Sequence, residues 1–351
     1  MKLPLPLRLT VASLVVAFLV LFSGCGGGGS SSGGSANTTS SSTNTNIGSI
    51  SASGATICVV FGGEKLATTT NAGTSWTIST PTTGLGEGLT VAPAISGSTI
   101  YAGTSGGVAV SNNAGTSWTT HSVWGYPVEC VAVSGQTIYA GTMGFGLAVS
   151  TDGGASWRVY NSENTLLDSD FVYSLAVSGS NIFLGTDTDL AFSLNDGGTW
   201  SETLPNGNNQ ITDVAISGTT ICESSYSETN ANGSWVGGVS LANTSNPNAW
   251  THYTTANGLG SNNVNAVTIS GSTIYAATSG GVSVSTNNGS TWTNYTTANG
   301  LPINNVAGVA TSGSAVYATT AGGLSVSING GKTWSNVVMP SGVGSNALKH
   351  T

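Results

Sequence analysis

Residues 262–297 read NNVNAVTISGSTIYAATSGGVSVSTNNGSTWTNYTT, and this stretch decides the fold. Four short runs rich in Val, Ile, Thr and Tyr occupy 262–270, 272–278, 282–285 and 291–296. Glycine or asparagine stands in the turns between them. Short β-branched and aromatic runs separated by such turns are typical of an antiparallel meander. The stretch therefore predicts one sheet of four strands, which we call a, b, c and d.

The same unit recurs along the chain, and a tryptophan marks the end of each c–d turn. These residues are Trp76, Trp118, Trp157, Trp200, Trp250, Trp292 and Trp334. A four-stranded sheet of about 40 residues cannot bury both of its faces alone, whereas radial stacking buries them and leaves only short edges. The sequence therefore predicts an all-β protein with a single seven-bladed β-propeller over residues 47–340. An open solenoid is the alternative, but both of its end sheets would expose apolar faces.

The c–d turns share the pattern S-x-D-x-G-x-T-W, which resembles the Asp-box of bacterial neuraminidase-type (BNR) repeats. The central residues of six copies are Asn71, Asn113, Asp152, Asn195, Asn287 and Asn329, and their closing residues are Trp76, Trp118, Trp157, Trp200, Trp292 and Trp334. A degraded seventh copy runs from Ser240 to Trp250. Asx and hydroxyl side chains of this kind fix tight turns through local hydrogen bonds. The resemblance implies a structural motif that lies away from any catalytic face.

The N-terminal segment predicts export and anchoring. In residues 1–24, Lys2 and Arg8 flank the start of an apolar stretch that is too short to span a bilayer, as in a signal peptide. The stretch ends in Leu21-Phe22-Ser23-Gly24-Cys25, which resembles the bacterial lipobox and implies a lipid on Cys25. An ordinary signal peptide followed by a chance cysteine is the alternative.

The segments on either side of the propeller complete the predicted organisation. Residues 25–46 are almost wholly Gly, Ser, Asn and Thr and predict a flexible tether, and residues 341–351 form a C-terminal tail. Ile47–Ser53 is predicted as the innermost strand of blade 1, so that the ring closes by packing, although Asn346–Thr351 could compete for that place. The expected location is the bacterial cell envelope, at the outer membrane or cell surface, with the lipid as the membrane contact.

Charge argues against nucleic acid as a partner. From Cys25 onward the chain has 4 basic and 14 acidic residues, a net charge of −10, which repels polyanions. The remaining cysteines, Cys58, Cys130 and Cys222, are odd in number and stand at aromatic or small positions of the repeat. We therefore expect them to be packing residues and not a disulfide framework.

Catalytic chemistry finds little support in the sequence. Sialidases resemble this chain in propeller and Asp-boxes, and that resemblance would imply an arginine triad, but Arg158 is the one arginine after Cys25. The three histidines, at positions 121, 252 and 350, have no nucleophile elbow or metal-ligand spacing around them. We predict a protein that is not an enzyme. The alternative is a carbohydrate-active hydrolase or lyase that uses two carboxylates.

The acidic residues concentrate on one predicted rim. In a meander the d–a and b–c connections share one rim, and the other connections share the opposite rim. Ten acids fall on the first rim: Glu64, Glu87, Glu129, Glu163, Asp168, Asp170, Asp187, Asp189, Glu223 and Glu228. Only Asp152 and Asp196 fall on the second. No cofactor is predicted, although hard oxygen ligands in such number could bind Ca²⁺.

The same rim carries the departures from the repeat. The linker His121–Val128 and the insertion Ser224–Gly237 bring aromatic residues beside polar ones, which is typical of recognition surfaces. The predicted binding rim comprises Trp124, Tyr126, Glu129, Asp168, Asp170, Tyr226 and Trp235. The alternative is that these connections are ordinary solvated loops.

One linker adds a second resemblance. The run Thr297-Ala298-Asn299-Gly300-Leu301-Pro302, with Asn304-Asn305-Val306 after it, is similar to the repeat of two-component-regulator propellers. Photosystem II assembly factors are also similar, as seven-bladed and often lipid-anchored propellers, although their basic recognition patch is missing here. These resemblances imply a sensory or scaffold module. We therefore expect a non-catalytic binding propeller whose partner is a protein or a glycan.

Overall fold

The computed structural model describes residues 47–62, 64–86, 88, 91–165, 167–205, 211–226, 228–230 and 233–340. Within these residues the chain forms seven four-stranded antiparallel sheets and one two-stranded ribbon. The prediction of an all-β, seven-bladed propeller is confirmed. The predicted signal peptide, Cys25, the tether and the C-terminal tail lie outside the described residues.

Each blade uses strands that follow one another in the chain, and the ribbon is inserted into blade 5. Blade 1 comprises β1 (Ile47–Ser53), β2 (Thr56–Phe61), β3 (Lys65–Thr69) and β4 (Thr77–Ser79). Blade 2 comprises β5 (Val91–Ser96), β6 (Thr99–Thr104), β7 (Gly107–Ser111) and β8 (Thr119–His121). Blade 3 comprises β9 (Val128–Ser134), β10 (Thr137–Thr142), β11 (Leu147–Ser150) and β12 (Arg158–Tyr160). Blade 4 comprises β13 (Val172–Ser178), β14 (Asn181–Thr186), β15 (Leu190–Ser193) and β16 (Ser201–Thr203). Blade 5 comprises β17 (Ile211–Ser217), β18 (Thr220–Ser225), β21 (Gly238–Asn243) and β22 (Asn246–Tyr253). The ribbon, β19 (Glu228–Asn230) and β20 (Gly233–Trp235), lies between β18 and β21 in the chain. Blade 6 comprises β23 (Val264–Ser270), β24 (Thr273–Thr278), β25 (Gly281–Ser285) and β26 (Thr293–Tyr295). Blade 7 comprises β27 (Val306–Ser312), β28 (Ala315–Thr320), β29 (Gly323–Ser327) and β30 (Ser335–Val337). Short 3-10 helices over Pro81–Thr83, Thr255–Asn257 and Thr297–Asn299 lie in three of the linkers.

Seven apolar clusters fill the interfaces between neighbouring blades. Each cluster contains one of the seven marker tryptophans, as predicted. Trp334, for example, packs in one core with Tyr275 and Val284 of the preceding blade. Because side chains alternate across a strand, each blade presents one apolar face to each neighbour. The sheets are therefore stable only as a stack around an axis.

The ring closes by packing between blades 7 and 1. Ile47 of β1 shares a core cluster with Tyr317 and Leu324 of blade 7. The Thr319 hydroxyl donates a hydrogen bond to the Gly48 carbonyl (2.8 Å), and β1 pairs with β2 of its own blade. The predicted role of Ile47–Ser53 as the innermost strand of blade 1 is confirmed. The competing segment Asn346–Thr351 lies outside the described residues.

The c–d turns are fixed by local hydrogen bonds. In blade 6 the Ser285 hydroxyl donates to Asn287 Oδ1 (3.0 Å) and accepts from the Gly289 amide (2.8 Å), while Asn287 Oδ1 also accepts from the Thr291 amide (2.9 Å). Asp152 takes the corresponding position in blade 3, where the pKa of its carboxyl is lowered to about 2 by hydrogen bonds from Ser156 and Ser150. These contacts are those of a structural turn.

Blade 5 corrects one sequence-based assignment. In blade 6 the serine that opens the turn, Ser285, pairs with Ile274 of strand b. In blade 5 the position of Ile274 is taken by Ile221. Ile221 pairs with Ala242, which lies two residues beyond Ser240. The prediction that Ser240 opens a seventh turn motif was therefore wrong. Ser240 pairs instead with Glu223.

The cysteines are buried and free, as expected of packing residues. Cys58, Cys130 and Cys222 are each at most 2% exposed. Burial raises the pKa of Cys58 to about 12 despite a hydrogen bond with Thr68, and burial also raises the pKa of Cys222. Both thiols therefore stay protonated and unreactive at neutral pH.

No helix within the described residues is both long and apolar enough to cross a membrane.

Candidate functional site

The d–a and b–c connections converge on one rim at the junction of blades 3 and 4. Met143, in the b–c turn of blade 3, forms a β-bridge with Phe171 in the next linker. The amides of Gly144 and Gly146 both donate to the Asp170 carbonyl, at 3.1 and 2.8 Å. Two connections that are distant in the chain are thereby held as one surface.

An aromatic platform, which we define as Trp124, Tyr126, Met143, Phe145 and Phe171, covers this rim. The Tyr126 and Phe145 rings stack with their centroids 4.4 Å apart and their planes 10° apart. Trp124 lies 5.4 Å from the Phe145 ring and remains 54% exposed, and Phe171 is 40% exposed. The platform is therefore ordered by its own contacts and still open to solvent.

A tight turn in the linker before blade 3 presents Trp124. Val123 is fully buried and anchors the turn, and the Tyr126 amide donates to its carbonyl (2.9 Å). Trp124 adopts a left-handed φ of 49°, which is uncommon for a bulky residue. Strain of this kind persists only where the surroundings impose it. This turn leaves the large Trp124 ring open to solvent.

Beside the platform lies an acidic strip, defined as Glu129, Asp168, Asp187, Asp189 and Glu202. One carboxylate oxygen from each of Asp168, Asp189 and Glu202 lies within 4.8 Å of the other two. Burial raises the pKa of Glu202 to about 7, and the neighbouring Asp189 and Asp168 charges add to the increase. Asp189 is also raised, chiefly by burial. Acidic groups are therefore concentrated where blades 3 and 4 meet, and Glu202 is only partly ionised near neutral pH.

The strip continues inward to Glu129. Glu129 is the extra residue of a bulge in β9, between the paired residues Val128 and Cys130, and it is 4% exposed. Burial raises its pKa. Tyr173 lies close enough to Asp187 and Glu129 that their charges, after burial itself, raise the pKa of its phenol. Glu129 and Asp187 therefore both lie near Tyr173, at the junction of blades 3 and 4.

Asp170 stabilises the linker between blades 3 and 4. Its carboxylate accepts from the Ser162 amide (2.7 Å) and the Ser162 hydroxyl (2.9 Å). Asn304 accepts from the Thr297 amide at the corresponding point of a regular linker (2.8 Å). The structure gives this predicted site residue a local role, although its backbone carbonyl helps to hold the platform.

The other predicted site residues lie away from the junction. The Tyr226 hydroxyl donates to Asn265 Oδ1 (2.6 Å) across to blade 6, and burial raises its pKa to about 12. Trp235 lies on β20, but its side chain, like that of Glu228, is outside the described part of the chain, and so is Glu87. The structure thus brings Trp124 and Tyr126 together around Phe145. Among the described residues it shows no contact between Glu129 and Asp168, and it places Tyr226 against blade 6.

The predicted rim position of Glu223 was wrong. Glu223 lies within β18, is fully buried, and neither of its carboxylate oxygens has a hydrogen-bond partner. Burial raises its pKa to about 8, and the nearby Ser240 hydroxyl offsets part of that increase. Ser240 in turn contacts His252 Nδ1 at 2.9 Å, and burial lowers the pKa of that histidine. This buried ladder is closed to solvent at Glu223 and is distinct from the rim.

Sequence reasoning missed Glu202, Met143, Phe145 and Phe171. Glu202 lies on strand d, two residues after Trp200, and only the register with Ala191 shows that it faces blade 3. Phe145 stands between two glycines in the b–c turn, and that isolated ring was the one available signal. The strip can chemically do two things: its oxygens suit a hard cation such as Ca²⁺, and Glu202 can exchange a proton near neutral pH.

Fold and site together define a β-propeller with an aromatic and acidic rim. The sequence model of a family described as the DUF6242 beta propeller domain matches residues 227–345. No curated protein matches the chain.

Solved structures match over most of the ring. YCF48 from Cyanidioschyzon merolae is 14% identical with a TM-score of 0.58, covering 79% of this chain and 93% of that chain. The GH74 xyloglucanase from Xanthomonas campestris is 14% identical with a TM-score of 0.63, covering 83% of this chain and 54% of that chain. The extracellular domain of the hybrid two-component system BT4673 from B. thetaiotaomicron is 14% identical with a TM-score of 0.64, covering 82% of this chain and 38% of that chain. This chain thus spans about half of the enzyme and less of the sensor domain. Identities this low show the fold alone.

Proposed function

We propose that the protein is a non-catalytic binding or scaffolding propeller that recognises its partner through the rim at blades 3 and 4. The observation that supports this most is the aromatic platform, because exposed rings held rigid by stacking are the usual anchors of recognition surfaces. Similar propellers include an enzyme and an extracellular sensor domain, so the fold does not choose between functions.

The platform can be tested with a matched control on the opposite rim. Full-length protein carrying Trp124→Ala and Phe145→Ala should lose retention of partners from envelope extract and any signal on a glycan array. Ile328→Ala, which removes an apolar side chain that is 80% exposed in the c–d turn of blade 7, should retain both. Equal binding by the two variants would overturn the proposal.

We also propose that a lipid on Cys25 holds the propeller at the bacterial cell envelope. The support is the lipobox-like sequence before Cys25 and the Gly, Ser, Asn and Thr-rich segment after it. Cys25→Ser should move the protein from the membrane fraction to the soluble fraction. Continued sedimentation with membranes would contradict the anchor and leave the rim untested by this variant.

A carbohydrate-active hydrolase or lyase is the second candidate, and one observation favours it. The Glu202 carboxyl has a pKa of about 7 and lies beside Asp189, as a general acid paired with a carboxylate would. Turnover of a polysaccharide that is lost in both Glu202→Gln and Asp189→Asn would support catalysis. Binding without turnover supports the first proposal.

A further inference from the structure

The aromatic platform and the acidic strip are physically joined. The Ser169 hydroxyl accepts from the Phe171 amide (3.0 Å) and donates to the Asp187 carboxylate. The Phe171 ring also covers the b–c turn of blade 3, since a Cβ built on Gly144 would lie 3.6 Å from it. One ligand lying across Phe171 therefore meets both rings and carboxylates.

The described residues supply no cation to this surface. The hydrogen-bond partners of these acids are hydroxyls, the Asp168 backbone amide and one another, since the Glu202 carboxyl contacts the side chains of both Asp168 and Asp189. Lys65 lies over the Phe61 ring in blade 1, and Lys332 lies in the c–d turn of blade 7. Arg158 lies over the Tyr160 ring, in a groove that opens toward the opposite rim beside Gly197. The carboxylates of the strip thus have no cationic partner within the described residues, and an external cationic group can pair with them.

Glu129 is a second and independent observation that points to a cationic ligand at this surface. The residue is 4% exposed, and burial raises the pKa of its carboxyl with no hydrogen bond or nearby charge to offset the increase. A buried carboxylate without a partner is costly, and a cationic group beside it removes that cost. Tyr173 lies near both Glu129 and Asp187. One cationic group bound beside Tyr173 would therefore neutralise both acids.

We propose that this surface docks a basic polypeptide segment, with lysine and arginine side chains on the acidic strip and planar or apolar side chains on the aromatic platform. The proposal rests on the proposed rim function and names its partner class. Guanidinium groups both stack on aromatic faces and pair with carboxylates, so they match the two halves of the surface. A neutral glycan would use the rings and leave the charges unpaired.

The test measures binding of short synthetic peptides to the full-length protein by calorimetry. An arginine–serine repeat peptide should bind, and a glutamate–serine repeat of the same length should not. Raising the salt from about 0.05 to about 0.5 M should weaken binding by at least about tenfold, because exposed charge pairs are screened. Trp124→Ala should also weaken it.

Matched charge variants separate the site from net charge. Asp168→Asn with Asp187→Asn should lose at least about tenfold in affinity, as expected when close charge pairs are removed. Asp152→Asn with Asp196→Asn makes the same charge change in the c–d turns of the opposite rim and should have little effect. Thermal melting of both double variants checks that the fold is intact.

Three outcomes would overturn the inference: no binding of the arginine peptide, equal loss in the two double variants, or insensitivity to salt. A neutral oligosaccharide whose binding depends on Trp124 but not on Asp168 and Asp187 would leave the rim proposal standing and reject the basic partner. If neither the peptide nor an oligosaccharide binds in a way that depends on Trp124, both the rim proposal and the basic partner are rejected.

Discussion

Blades 6 and 7 repeat one arrangement, whereas blades 4 and 5 place ionisable groups at the same positions. One row of side chains across strands b, c and d faces the preceding blade. It reads Ala276, Ser283, Asn294 in blade 6 and Ala318, Ser325, Asn336 in blade 7, but Leu184, Ala191, Glu202 in blade 4 and Glu223, Ser240, His252 in blade 5. The regular row is a structural device, and its replacements introduce acids and a histidine.

The regular row ties each blade to the linker before it. In blade 6 the Ser283 hydroxyl donates to Asn294 Oδ1 (2.6 Å), and the Asn294 amide nitrogen donates to the Gly258 carbonyl (2.8 Å). In blade 4 the corresponding Glu202 instead accepts from the Asp168 backbone amide in the linker. The same position thus changes from a neutral clamp to part of a charged rim. The scaffold tolerates this because the strands and the inter-blade cores are unchanged.

The largest expected effect comes from Glu223, which stands where blades 6 and 7 have alanine. Its folded pKa of about 8 exceeds the ordinary glutamate pKa of 4.5. The folded state therefore binds the proton more tightly, and stability is highest below pH 4.5 and declines as the pH rises through 8. The difference corresponds to a loss on the order of 5 kcal/mol above pH 8. Glu223→Gln, which cannot ionise, should escape this loss.

Urea denaturation of wild type and Glu223→Gln at several pH values measures how the free energy of unfolding of each protein depends on pH. The two should be similar near pH 5, and the variant should be more stable at pH 9. Glu64→Gln removes an exposed carboxyl and should follow the wild-type curve. Parallel curves for Glu223→Gln and wild type would show that the ionised carboxylate is accommodated in the fold.

A smaller effect separates the serines of the two regions. Ser285→Ala in blade 6 leaves the Gly289 amide and Asn287 without their buried partner and should cost about 1–3 kcal/mol. Ser240→Ala in blade 5 removes one contact to a half-buried histidine and should cost about 0.5–1.5 kcal/mol. Chemical denaturation at pH 7 compares them. A larger loss for Ser240→Ala would mean that this hydroxyl holds Glu223 and His252 in place.

The fold could be predicted because its signals are periodic and local. Trp292 and Trp334 follow similar turns at equal spacing, and each turn fixes itself through side chains that are adjacent in sequence. Repetition therefore supplied the blade count and the rim assignment. It also explains the error in blade 5, where the pattern is interrupted and Ala242, not Ser240, takes the register of the turn serine.

The candidate site was predicted only in part, because its geometry depends on contacts between blades. Trp124 could be identified as a departure from the repeat, but its tilted contact with Phe145 joins a linker to a turn of the next blade. Glu202 and Asp168 are 34 residues apart and meet through the register of blade 4. Burial decides the role of Glu223, and alternation alone does not reveal that an acid occupies an alanine position. Local sequence carries none of these distances.

The smallest expected effect concerns Asp152, the single aspartate at the centre of a turn motif that elsewhere has asparagine. Asp152 accepts the Ser156 amide as Asn287 accepts the Thr291 amide, each at 2.9 Å, so Asp152→Asn keeps the turn. At pH 7 we expect a melting temperature within about 1 °C of wild type, as for surface changes that preserve contacts. The folded pKa of about 2 lies below the ordinary aspartate pKa of 3.8, so this carboxyl makes the wild type lose stability as the pH falls from 4 to 2, and the variant lacks that contribution. Melting curves at pH 7 and at lower pH check both statements. A large loss at pH 7 would show that blade 3 needs the charge itself, and its turn would then belong with the divergent blades and not with the regular ones.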